Sequence, residues 1–165
     1  MTPTLAPDFE LPNAGAGPDP YRLADRAAAD DVDFVVLLFQ RDYHCGNCRE
    51  QVQQVAERYE EFVARNAEVA SVLPEPRERA ASWQDSYGLP FALLADESKA
   101  VGDDYDQPTR FGVLGSLHDL VGRMPETVVL DVRGDEPTVA YEHRGSSPSD
   151  RPSVDELLAE IDALA

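Results

Sequence analysis

The only two cysteines of this 165-residue chain stand three positions apart, in Tyr43-His44-Cys45-Gly46-Asn47-Cys48-Arg49. On a helix that spacing sets the second thiol about one turn beyond the first, where the two can close a disulfide. A thiol at a helix N-terminus meets unpaired backbone N–H groups and the positive end of the macrodipole, which favour the nucleophilic thiolate. Arg41, Arg49 and a protonated His44 would add local positive charge. A bridge across so short a loop removes little chain entropy from the unfolded state, so stability is a poor reason for the pair. Redox cycling of Cys45 and Cys48 is the chemistry that fits. The alternatives are two inert buried thiols or half of a zinc site. Zinc would need two more ligands from His44, His118 and His143, which form no pair motif.

These residues need a rigid mount, and the flanking pattern supplies one. Asp33 to Phe39 is continuously apolar, as in a strand buried on both faces. Val52, Val55, Tyr59, Phe62 and Val63 then repeat at three and four, predicting one helix over 46–66. Further strands are expected at Glu68–Leu73, Phe91–Leu94, Thr127–Val132 and Thr138–His143, the last two joined by a Gly- and Pro-containing turn. Helices are expected over Arg77–Tyr87 with Gly88 as its stop, from Asp96 to Tyr105, and from Ser153 to the C-terminus. Ala6–Pro12 reads as a short edge strand bracketed by prolines. Leu23–Asp31 reads as a short helical turn, and 106–124 as loop with a helical turn near Leu117–Val121. This alternation gives one α/β domain over residues 1–165.

Composition narrows the partners. Thirty-two acids against 14 bases give a net charge of −18, dispersed from Asp8 to Asp162, with Lys99 as the sole lysine. Such a surface repels nucleic acid and anionic membranes. It resembles the surfaces of proteins from salt-loving microbes, where a Debye length of ~3 Å at 1 M salt screens self-repulsion. No apolar run approaches the roughly 20 residues of a membrane span. Met1-Thr2-Pro3-Thr4 lacks the basic-then-apolar start of a signal peptide, so a cytoplasmic location is expected. Asp30-Asp31 and Asp103-Asp104 read as solvated surface, without calcium-loop spacing.

Around a Cys-x-x-Cys in this order of elements, the chain resembles the thioredoxin-like superfamily, and within it the AhpC/TSA, peroxiredoxin-like redoxins. Ala6-Pro7-Asp8-Phe9-Glu10-Leu11-Pro12 is similar to the opening segment of that family. Tyr87-Gly88-Leu89-Pro90-Phe91 through Asp96 is similar to its middle signature, and Glu126-Thr127-Val128-Val129-Leu130-Asp131 with Gly134 to its penultimate strand and turn. The resemblance implies a three-layer α/β/α fold on a central mixed sheet. It implies a thiol oxidoreductase without cofactor or metal, acting on a protein disulfide or a peroxide, reduced by a thioredoxin-type protein and associating as a homodimer.

The active-site segment departs from the peroxidase pattern Pro-x-x-x-Thr-x-x-Cys. Cys48 takes the peroxidatic position, Cys45 replaces the Thr and Arg41 the Pro. Pro125 stands at the family's distant Arg, with Arg123 two residues earlier. His44-Cys45-Gly46-Asn47-Cys48-Arg49 is also similar to the thioredoxin run Trp-Cys-Gly-Pro-Cys-Lys, which implies Cys45 as nucleophile, Cys48 as resolving thiol and Pro125 as a cis-proline facing them. Arg123 is then a candidate to stabilise a thiolate or contact an oxidised partner. The alternative assignment is a peroxidase with Cys48 attacking and Cys45 resolving. A third, of another class, is a non-catalytic redox-sensing or binding module. Phe39 occupies the position of thioredoxin's buried acid, so the proton acceptor for the second thiol is open.

Overall fold

The structure is a computed structural model and describes residues 3–109 and 123–165. Its centre is a six-stranded mixed sheet in the order β1-β8-β7-β4-β5-β6. β4 (Phe34–Phe39) and β5 (Ala67–Leu73) pair in parallel, as do β5 and β6 (Ala92–Ala95). β7 (Glu126–Asp131) runs antiparallel to β4 on its other side, β8 (Thr138–Arg144) antiparallel to β7, and β1 (Thr4–Leu5) closes that edge. β4 is buried along its whole length, as its unbroken apolar sequence requires. It also lies where the strand order reverses, and the carboxyl end of such a strand opens the crevice in which α/β sheets do chemistry.

Alternate residues of β4 feed two cores. Phe34, Val36 and Leu38 pack with Val52, Val55, Phe62, Trp83, Leu157 and Ile161 from the helices on one face. Those helices are α2 (Gly46–Glu57), α3 (Tyr59–Val63), α4 (Arg77–Tyr87) and a final helix, α6 (Val154–Leu164). Val35, Leu37 and Phe39 pack on the other face with Leu11, Tyr21, Leu23, Val101 and Tyr105. That layer is only partly helical. It holds α1 (Leu23–Ala27), α5 (Ala100–Asp104) and a two-stranded ribbon of β2 (Glu10–Leu11) and β3 (Tyr21–Arg22). The segment read as an edge strand, Ala6–Pro12, therefore belongs to a ribbon outside the central sheet.

Other expectations shift locally. The helix expected over 46–66 breaks at Arg58 (φ −117°, ψ 20°), whose guanidinium bonds Glu61 at 2.6 Å and Asp155 of α6 at 2.7 Å. Past the break Val63 turns outward and is 55% exposed, so it leaves the apolar stripe. Gly88 adopts φ 56° at the end of α4, a left-handed stop that glycine takes without strain. Asp96 does not cap by adjacency, because α5 begins only at Ala100. Its carboxylate instead accepts the N–H groups of Val101 and Gly102 at 3.4 and 3.0 Å. Ser153 caps α6 as expected, its hydroxyl accepting the Glu156 N–H. The helical turn expected near 117–121 lies outside the described residues. Among the described residues, no helix is long and apolar enough to cross a membrane.

One buried acid lacks a hydrogen-bond partner among the described residues. Glu126 lies opposite Phe39 across β7 and β4, and neither carboxylate oxygen has a hydrogen-bond partner. Its nearest cation is Arg144 Nε at 3.9 Å. Burial pushes the Glu126 carboxyl up from 4.5 to about 8. The folded chain therefore keeps a proton that the unfolded chain gives up above about 4.5. The stability carried by the neutral acid is full below that value and is lost as pH rises towards 8. Unfolding by urea in ~1 M KCl should show the native chain losing roughly 3 kcal/mol between pH 5 and 8 relative to Glu126→Gln. Parallel pH profiles for the two proteins would contradict this.

Candidate active site

β4 ends beside the only disulfide among the described residues, Cys45–Cys48. The loop between them is clamped at Tyr43. Its carbonyl accepts from Trp83 Nε1 (3.0 Å) and from Arg49 Nε and Nη2 (3.0 and 2.7 Å), and its N–H donates to Glu75 (3.0 Å). Its ring lies between the guanidiniums of Arg49 and Arg79, at 4.7 and 4.5 Å, an arrangement favoured by the negative ring faces. Cys45 then serves as N-cap of α2, its sulfur accepting the Cys48 N–H at 3.1 Å. Cys48 is fully buried and Cys45 is 5% exposed.

The decisive contact comes from the opposite end of the chain. Arg151, in the connector between β8 and α6, places Nη2 2.9 Å from Cys48 Sγ and 3.5 Å from Cys45 Sγ. The Arg41 N–H adds a second donor to Cys48 Sγ at 3.3 Å. Arg151 Nη1 donates to the side-chain oxygens of Gln40 (2.9 Å) and Gln51 (2.8 Å), and its Nε to the Pro148 carbonyl. Gln40 is itself buried and donates to Ser71 Oγ at 3.1 Å. The connector is fixed by Asp150, which accepts from the N–H and hydroxyl of Ser146 and bonds His143 at 2.9 Å. Gly145 lies so close to it that a Cβ there would come 2.7 Å from both the Asp150 carbonyl and Pro125. Burial, and then the charge of Arg41, lower Arg151 to about 10, which leaves it cationic at neutral pH.

The other expected site residues separate. Arg41 reaches the site through its backbone, while its side chain runs away to donate Nε to the Arg123 carbonyl at 2.8 Å. Arg49 is spent on Tyr43 and on Tyr87 Oη, to which Nη1 donates at 3.1 Å. His44 is exposed, with Nε2 3.2 Å from Arg79 Nη1 and no bond to either sulfur. Arg123 is buried and pairs with Asp103 at 2.7 Å instead of a thiolate. Pro125 corrects an expectation. Asp19–Pro20 is the only cis peptide among the described residues, so the bond before Pro125 is trans. Pro125 instead buttresses the Arg151 connector, its carbonyl accepting the Gly145 N–H at 2.8 Å. His118 lies outside the described residues.

Sequence reasoning passed over Arg151, Gln40 and Gln51. One signal was present: Arg151 is the only base from Gly145 to the C-terminus, in a stretch otherwise rich in acids. Its sulfur contact depends on a sequence separation of 103 and has no local signature.

The AhpC/TSA family profile matches residues 4–135. The chain belongs to the AhpC/TSA family. Among its relatives is the chloroplastic peroxiredoxin Q of Sedum lineare, 30% identical over 135 residues, which cover 76% of this chain and 67% of that protein. The peroxiredoxin Q of Populus jackii is 27% identical over 135 residues, 76% of this chain and 59% of that one. That of Suaeda salsa is 29% identical over 102 residues, covering 61% and 44%. Against these last two the AhpC/TSA chain spans about half the relative's length. Solved structures share the fold. The peroxidoxin BcpB of Mycobacterium tuberculosis superimposes with a TM-score of 0.80 at 22% identity, covering 99% of this chain and 97% of that one. A peroxiredoxin Q structure from Xanthomonas campestris gives 0.76 at 17%, covering 95% and 92%. The AhpC/TSA fold and its mixed central sheet are thus present, with a guanidinium brought to the sulfurs from residue 151.

Removing that guanidinium should weaken thiolate formation. In Arg151→Met, reduced at neutral pH, the thiolate absorbance at 240 nm should fall by roughly half or more, because the buried sulfur loses its charged donor. Unchanged absorbance with unchanged circular dichroism would contradict that role.

Proposed function

We propose that this chain is a thiol-dependent peroxidase that cycles Cys45 and Cys48 between dithiol and disulfide, with Cys48 as the sulfur that meets the peroxide. The observation that carries the reading is the convergence of Arg151 Nη2 and the Arg41 N–H on Cys48 Sγ. A charged guanidinium and a backbone N–H converging on a fully buried sulfur favour a thiolate there, and the same donors can stabilise charge developing on a peroxide oxygen. Membership of the AhpC/TSA family supports it, and so does the resemblance of residues 41–48 to the peroxidase pattern, which implies Cys48 as the attacking sulfur.

In the cycle, the Cys48 thiolate attacks the terminal peroxide oxygen, the O–O bond breaks, and the alkoxide takes a proton and leaves as an alcohol. Cys48 is left as a sulfenic acid. Cys45 attacks that sulfur, and its thiol proton leaves with the hydroxyl as water, giving the disulfide seen here. A thioredoxin-type dithiol then attacks Cys45, the sulfur with residual exposure. Cys48 departs as a thiolate towards Arg151. The second thiol of the reductant breaks the mixed disulfide and carries away the oxidation as its own disulfide.

A second reading is thiol–disulfide exchange with a protein disulfide, in which Cys45 attacks first. The position of Cys45 as N-cap and its greater exposure favour it. One experiment separates the two. Reduced protein mixed with hydrogen peroxide in ~2 M KCl should react about a hundredfold faster than a free thiol. In Cys45→Ser, a sulfenic acid should be trapped on Cys48. A rate equal to that of a free thiol, with Cys45 the alkylated cysteine in the native protein, would reverse the assignment.

A further inference from the structure

Most described arginines of this chain have a carboxylate within 4.0 Å. Arg151 has none among the described residues, although Asp150 is its neighbour in the chain. Both oxygens of that carboxylate are engaged elsewhere. Oδ1 lies 2.9 Å from His143 Nε2, and Oδ2 accepts the Ser146 N–H at 2.8 Å and the Ser146 hydroxyl at 3.0 Å. The Ser146 N–H, then His143 and the Ser146 hydroxyl, hold the Asp150 carboxyl below its ordinary value, so it is an anion at neutral pH. His143 stands on β8 opposite Thr127 of β7, and Thr127 lies opposite Leu38 of β4. Asp150 is thereby tied to the sheet whose central strand leads into Gln40. Around the carboxylate the chain closes tightly, with the Asp150 N–H on the Ser147 carbonyl at 3.1 Å and Arg151 Nε on the Pro148 carbonyl at 3.0 Å. Arg151 thus has two separate anchors: Asp150 fixes its backbone, while Gln40 and Gln51 hold its head.

We propose that Asp150 is a positioning residue for Cys48 that acts through Arg151. It holds the connector where the guanidinium reaches the sulfur, and its bonds to His143 and Ser146 keep its own charge off that guanidinium. An acid one residue away, if free to turn, would compete with the sulfur for Arg151 and weaken the field at Cys48. Two effects of Asp150 on the thiol therefore oppose each other. As a charge, the carboxylate disfavours a thiolate, so deleting it should ease ionisation. As an anchor, it brings up a cation, so deleting it should hinder ionisation. The anchor outweighs the charge, because Arg151 Nη2 meets Cys48 Sγ at 2.9 Å while the carboxylate is occupied by His143 and Ser146. The sign of the change on deleting Asp150 thus separates positioning from simple electrostatics.

The inference rests on the tuning of Cys48 by Arg151, the observation behind the peroxidase reading above, and holds whichever oxidant reacts. The test titrates the Cys48 thiolate by its absorbance at 240 nm in Cys45→Ser, where one thiol remains, in ~1 M KCl. Adding Asp150→Ala should raise the midpoint by roughly one pH unit. His143→Phe should raise it too, since the carboxylate is then released but not removed. Asp150→Asn should leave the midpoint near that of the parent, because its amide offers an oxygen to Ser146 and a nitrogen to His143 Nε2. In an Arg151→Met background, Asp150→Ala should no longer raise it. A midpoint lowered or left in place by Asp150→Ala and His143→Phe, with unchanged circular dichroism, would overturn the proposal. So would a rise that persists without Arg151, because Asp150 would then reach the sulfur by another route. Were Asp150→Ala not to fold, His143→Phe decides alone by the same titration. Should Arg151→Met itself leave the midpoint in place, the tuning of Cys48 falls and this inference with it. A midpoint raised by Arg151→Met but by neither latch variant removes the inference only.

Discussion

A half-buried guanidinium held against a buried sulfur atom is the interaction on which this molecule turns. Arg151 carries a full charge to a half-buried position, where an unpaired ion is costly. The chain offsets that cost with neutral acceptors, placing the side-chain oxygens of Gln40 and Gln51 on one terminal nitrogen and the Pro148 carbonyl on Nε. Among the described residues no carboxylate neutralises it, so its field remains directed at Cys48. Gln40 follows the last residue of the central strand, Gln51 lies on the helix that begins at the cysteines, and Arg151 precedes the last helix. The site thus requires three distant segments to be in register before its electrostatics exist. The family framework supplies the strand and the first helix; the connector fixed by Asp150 and His143 supplies the rest.

The surface and the centre have opposite electrostatic characters. Acids dominate the exterior and pair with most arginines, and surface pairs of that kind contribute little stability individually. At the centre Arg151 has no carboxylate partner among the described residues and is positioned by hydrogen bonds to neutral groups. Distance and dielectric explain how the two coexist. Exterior charges act through water and ions, so mobile salt attenuates them, whereas Arg151 acts across 2.9 Å of protein interior. A chain of this composition can therefore vary its surface charge widely without changing what the sulfurs experience.

Periodicity and turn chemistry made the scaffold legible. The buried run ending at Phe39, the Ser153 cap and the Gly88 stop each depend on residues close in sequence, and the structure places them where those rules indicate. The Cys45–Cys48 pairing is legible for the same reason. Interactions between distant segments are not encoded that way. The long helix breaks at Arg58, whose guanidinium reaches Asp155 from a distant part of the chain. Pro125 keeps a trans bond and serves the connector that carries Arg151, a role with no analogue in the run Pro125–Asp131 itself. Arg123, two residues earlier, is drawn off by Asp103. Local motifs thus located the sulfurs, while the groups that tune them were chosen by tertiary proximity.

Cys45 caps α2 with the same atom that forms the disulfide. A thiolate or thiol sulfur and a disulfide sulfur differ as acceptors, so the first turn of that helix and the oxidation state of the pair share one thermodynamic cycle. Groups that hold an anionic sulfur in the folded protein, the helix N–H and Arg151 among them, favour its reduced form by the same amount that they strengthen its disulfide as an oxidant. A structural disulfide braces its fold; by this cycle, the groups that hold the anionic sulfur work against the disulfide they surround.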